Sequence, residues 1–158
     1  MYLFAVKSEI VQLVFYAMGL VIGGALEEML PKFAGVGFPI VLAMVLVVSA
    51  RRTVPAMVVF ACAAGAVEDA LSGLPVATSA SFFLAAGTLV RLPMMPRGAL
   101  MILAYPFYQL WLNVWDSGLN GSVFNRVLLA VPMGIVVICV VAVLMKWLER
   151  KVAIDEEV

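Results

Sequence analysis

Six apolar runs, parted by short charged or proline-bearing turns, dominate the sequence and leave it one environment in which to fold. The clearest run goes from Val54 to Leu71, 18 residues, and closes on two adjacent carboxylates, Glu68 and Asp69. A run of that length spans the hydrocarbon layer of a bilayer as a helix. With 65% of its 158 residues hydrophobic and 13% charged, the chain lacks the polar surface that a soluble core needs for cover. The expected fold class is an all-α integral membrane protein, one domain of six transmembrane helices over residues 1–158.

The spans are expected at about 10–30, 37–50, 54–71, 76–92, 98–115 and 122–147. Lys7 and the apolar stretch after it faintly imitate a signal peptide, but with five more spans following they read as an uncleaved first helix. Gly19, Gly23 and Glu27 recur every four residues and share a face of span 1. The glycines there, with Gly65 on span 3, read as helix-packing positions. Spans 2 and 4 are short, rising only about 22–26 Å against a hydrocarbon layer of ~30 Å. They either thin the bilayer locally or are shielded by their neighbours.

Charge orients the spans. With the N-terminus cytoplasmic, the inner segments hold Lys7, Arg51, Arg52, Arg91, Arg97, Lys146, Arg150 and Lys151, eight of the ten basic residues. Only Lys32 and Arg126 then lie outside, which satisfies the positive-inside rule with both termini cytoplasmic. Trp111, Trp115 and Trp147 fall near the two interfaces, as aromatic belts do. Asp155, Glu156 and Glu157 form a solvated acidic tail. Cys62 and Cys139 lie inside spans and are expected as small buried hydrophobes, with no disulfide framework.

Two groups of polar residues stand out within the spans. Gly73 and Pro75 stop span 3 in the usual order, which puts Asp69 in its last turn, at the negative end of the helix dipole. A carboxylate so placed near lipid needs a partner. Arg126, badly placed at the start of span 6, is one candidate, with Asp116 its rival for that cation; backbone N–H groups freed at the start of span 4 are the other. On span 5, Tyr105, Gln109, Asn113 and Asp116 fall at i, i+4, i+8 and i+11 and form one polar stripe. Two readings of it stand: hydrogen bonds that hold the bundle together, or the wall of a pocket opening outward.

No reaction chemistry is legible. Histidine is absent, and no phosphate-cradling glycine loop, metal-ligand cluster or nucleophile with a base appears. Glu68 and Asp69 point about 100° apart on a helix, so they do not face each other for acid–base work. The chain is expected to be no enzyme and to need no cofactor. Its formal net charge of zero implies no general attraction to nucleic acid.

The stretch from Ala64 to Pro75, Ala-Gly-Ala-Val-Glu-Asp-Ala-Leu-Ser-Gly-Leu-Pro, resembles the hallmark of the rod-shape-determining MreD family: a glycine, an apolar stretch, an aspartate, then a Ser/Gly turn and a proline. The short proline-led span 2, the Arg51-Arg52 turn and the six-span plan agree with it. Two residues depart: Ala77 stands where the family often has glycine, and Glu68 where it usually has an apolar residue. The resemblance implies a fold similar to the substrate-binding S-components of energy-coupling-factor transporters. It also implies a non-enzymatic subunit of the bacterial cell-elongation machinery, in the inner membrane. An MreC-like single-span protein would be its partner, with the MreB filament and the glycosyltransferase–transpeptidase pair of side-wall peptidoglycan synthesis nearby. Glu68, Asp69, Gly73, Pro75 and Arg126 would then be partner-binding or structural positions. The alternative is a small-molecule-binding membrane subunit of an energy-coupling-factor-type transporter, which the same fold and the span 5 stripe permit.

Overall fold

A twelve-residue helix stands at the centre of the protein. In the computed structural model, which describes residues 2–32, 36–92, 97–116 and 121–155, the chain forms six helices. They are α1 (Tyr2–Met29), α2 (Ile40–Arg51), α3 (Val54–Ser72), α4 (Thr78–Leu89), α5 (Arg97–Asp116) and α6 (Gly121–Asp155). No strand occurs among the described residues. Every residue of α2 from Val41 to Ser49 is buried, because a helix apolar on all sides is stable only when enclosed. The other five surround it in the order α1, α3, α4, α5, α6, each packed on α2 and on the next in the ring. Among the described residues α1 and α6 do not pack on each other, so the ring is open there.

Enclosure answers the question raised by the short spans. At about 18 Å of rise, α2 is shorter than expected and is sheltered by its neighbours. The long helices go the other way: α1 begins at Tyr2 rather than near Ile10, and α6 runs to Asp155 rather than stopping near Trp147. Apolar sequence marks where a helix is covered, whereas backbone hydrogen bonding continues until a breaker intervenes. Among the described residues two helices are long and apolar enough to cross a membrane, Val54–Ser72 and Val123–Trp147. Only 39% and 28% of those apolar windows are buried within the protein, so neither is an ordinary core helix. Cys62 and Cys139 are exposed on them. The expectation that both are buried is corrected: an outward face as apolar as the inward one leaves a small hydrophobe no preference between them.

Small residues set the helix spacing. Gly19 and Gly23 lie against Met44 and Ile40 of α2, so the glycine face of α1 is occupied within the chain. Gly65 is the tightest position. A Cβ there would lie 2.2 Å from the Ala80 Cα and 2.3 Å from the Ala80 nitrogen, which means that α3 and α4 touch backbone to backbone. The turn between them follows the sequence: Gly73 takes the left-handed conformation (φ 66°) just past the end of α3, and the Pro75 carbonyl accepts the Thr78 N–H. Ala77 also sits left-handed, at φ 70°. A glycine would occupy that position without the ~1–2 kcal/mol that a Cβ adds.

At the end of the bundle that carries the Arg51–Thr53 turn, cations complete α2. Arg52 donates to the Tyr16 hydroxyl at 2.7 and 3.0 Å, and Arg91 Nε donates to the Ser49 carbonyl at 2.9 Å. A guanidinium on the last carbonyls of a helix complements its dipole.

Candidate functional site: a polar cavity between capped helices

The opposite end of the bundle begins with a local problem. Helices α2 and α4 start after Pro39 and Ala77, neither of which has a side-chain oxygen to cap the first N–H groups. In both cases the preceding long helix supplies a carboxylate. Glu27 Oε2 accepts the Val41 N–H at 3.0 Å, and Asp69 Oδ1 accepts the Ser79 N–H at 2.8 Å. Each acid lies at the unfavourable end of its own helix and at the favourable end of the next. The Asp69 carbonyl also accepts the N–H groups of Gly73 and Leu74 that close α3, so this one residue ends one helix and starts another.

Asp69 is therefore satisfied by backbone at the start of α4, and the pairing with Arg126 is not formed. Arg126 Nη1 instead donates to Asn113 Oδ1 at 3.4 Å. Asp69 is 5% exposed, and its Oδ2 has no hydrogen-bond partner among the described residues. The side chain of Asp116 lies outside the described residues, as do the 117–120 turn, Pro93 and Pro96, and Glu156 and Glu157 of the acidic tail.

Three members of the span 5 stripe hydrogen-bond chiefly to one another along α5, with one bond from Tyr105 to the residues before α2. Tyr105 donates to the Gly37 carbonyl and accepts from Gln109 Nε2 at 3.0 Å. Asn113 Nδ2 donates to the Gln109 carbonyl at 2.6 Å. All three are buried, and the same side chains form one wall of a cavity of about 290 Å³. Glu27, Glu28 and Lys32 face them from α1 and the residues after it, Glu68 from α3, and Arg126 from α6. The cavity thus lies at the end of the bundle where α2 begins, between α1, α3, α5 and α6.

Two residues carry more of this site than the sequence reading gave them. Tyr108 is 2% exposed and shares a 2.8 Å hydrogen bond with Ser79 Oγ; it joins Tyr105 and Gln109 at i+3 and i+4 spacing, a signal that was present but left outside the stripe. Glu27 marked the end of span 1, yet its capping of α2 is a contact across 14 residues that no local pattern encodes. Trp111 differs from a simple interfacial belt residue, since its indole N–H is held by the Thr78 carbonyl at 3.0 Å. Glu28 and Lys32 form a partly exposed pair at 3.8 Å, of the kind worth ~0–1 kcal/mol.

Among the described residues no group of three or more His, Cys, Asp or Glu could hold a metal ion. Carboxylates, tyrosine hydroxyls and amides converge on one small volume with a guanidinium at its side. Comparison with protein-family models, with curated proteins and with solved structures finds no match.

Proposed function

We propose that the chain is a non-enzymatic, six-span subunit of the bacterial inner membrane that scaffolds an MreC-like single-span partner within the cell-elongation machinery. The observation that carries this reading is the use made of the motif on which the MreD resemblance rests. Gly65 brings α3 against α4, Asp69 caps α4, and Gly73 turns the chain between them. A motif spent on fixing a helical hairpin suits a rigid docking platform better than a reaction centre. The uncovered apolar faces of α1 and α6, with Val21, Ile22, Phe124 and Val136 exposed, supply surface for lipid and for a partner helix at the open side of the ring. Side-wall enzymes and the MreB filament would be reached through that partner. Co-expression with such a partner should recover a complex in mild detergent; recovery with an ATPase module instead would overturn the reading. That second outcome belongs to a transporter subunit, which the polar cavity favours.

In this reading both termini and the Arg51–Thr53 turn face the cytoplasm, and the capped ends of α2 and α4 face outward. Single cysteines at positions 52, 74 and 119, in a background lacking Cys62 and Cys139, are expected to label from outside only at 74 and 119. Outside labelling at 52 would reverse the topology.

A further inference from the structure

We propose that the cavity between α1, α3, α5 and α6 binds a primary ammonium group. Its lining carries three carboxylates, Glu27, Glu28 and Glu68, against two cations, Lys32 and Arg126. Lys32 is engaged by Glu28, and Arg126 lies on Asn113. Glu27 is held by an α2 N–H. Glu68 is left: it is 7% exposed, lines the cavity, and has no cation within 4 Å among the described residues. The Tyr108 hydroxyl, which lines the same cavity, is already shared with Ser79. A buried carboxylate beside open volume, with no cation in direct contact among the described residues, is the complement of a cation that enters from outside the chain.

The remaining polar groups define which cation. Tyr105 uses its hydroxyl as donor to Gly37 and as acceptor from Gln109, which spends one of its two amide N–H donors on that bond. Beside it the wall presents two acceptors, the Glu68 carboxylate and the Gln109 side-chain oxygen. An R–NH₃⁺ group, with three N–H donors and no acceptor, matches that set, whereas a quaternary ammonium offers no N–H at all. The volume of about 290 Å³ is on the order of ten waters, enough for an aminoethyl group with a small anionic substituent beside Arg126. Two sources carry this chemistry: the headgroup of an aminophospholipid or a free small amine. The inference stands with either reading of the protein's role, because ammonium binding and partner recovery are measured separately.

The test uses the full chain in nanodiscs of phosphatidylcholine and phosphatidylglycerol, which contain no primary amine. Its readouts are thermal stability and calorimetric binding with added ethanolamine, phosphoethanolamine or choline, and thermal stability again with phosphatidylethanolamine built into the disc. Stabilisation by the soluble amines identifies a free ligand; stabilisation only by the phospholipid identifies a headgroup. Glu68→Gln, which keeps the shape and removes the charge, should weaken the response roughly tenfold to a hundredfold. The inference is overturned if neither a soluble primary amine nor phosphatidylethanolamine stabilises the protein, if choline stabilises it as much as ethanolamine does, or if Glu68→Gln responds as the wild type does. Should that variant not fold, the comparison of primary with quaternary ammonium on the unaltered chain, ethanolamine against choline and discs with against discs without phosphatidylethanolamine, decides alone.

Discussion

Gly65→Ala is expected to abolish most of the folded protein, an effect out of proportion to one methyl group. The added carbon would lie 2.2 Å from the Ala80 Cα and 2.6 Å from its Cβ, where carbon atoms normally rest about 3.5–4.0 Å apart. Backbone cannot swing aside as a flexible side chain does, so α4 must move bodily away from α3. Ser79, whose N–H is held by Asp69 at 2.8 Å, precedes the point of collision and would be carried out of reach. Overpacking of about 1–3 kcal/mol then adds to the loss of a charged hydrogen bond of about 1.5–3 kcal/mol. Together they reach about 3–5 kcal/mol, a large part of a typical stability. Gly98→Ala is the control, since a Cβ there meets nothing within 4 Å. Yield and melting temperature in detergent would decide it, and a Gly65→Ala protein that melts with the wild type would mean α3 and α4 are not in backbone contact.

The helical class, the six elements and the α3–α4 turn were legible because each is written locally. An apolar run, a glycine past a helix end and a proline soon after it all act within a few residues. Helix ends at Tyr2 and Asp155 were not legible, since hydropathy stops where the covering stops and the helix does not. The cavity was half legible. Its α5 wall repeats with helical period, but Glu27, Glu68 and Arg126 reach it from three other helices, and their meeting depends on how those helices surround α2. The choice of partner for Asp69 shows the same limit. Sequence offered that carboxylate two partners, an arginine at another helix end and the N–H groups at the start of span 4, with nothing to rank them. What the sequence could not weigh is that α4 begins after Ala77, with no cap of its own, which makes the nearer N–H the stronger claim.

Asp69→Ala is expected to destabilise the protein by about 2–3 kcal/mol, and Asp69→Asn by under ~1 kcal/mol. The alanine leaves the Ser79 N–H, buried and in the first turn of α4, with no acceptor, and Ala77 has none to lend. Asparagine keeps an oxygen at the Oδ1 position. It loses the attraction between a full charge and the helix N-terminus, about 0.3–1 kcal/mol. Against that it removes a buried charge whose Oδ2 has no partner among the described residues, and relief of that desolvation offsets the loss. Glu28→Ala, which breaks only the partly exposed pair with Lys32, should stay within ~1 kcal/mol of the wild type. Arg126 supplies the decisive comparison. A direct ion pair would make the effects of Asp69→Ala and Arg126→Ala strongly non-additive. Because Asp69 is held by α4 backbone and Arg126 by Asn113, the two should add to within about 0.5 kcal/mol. A coupling several times larger, or an asparagine variant as unstable as the alanine, would show that the charge and not the cap is what α3 needs at that position.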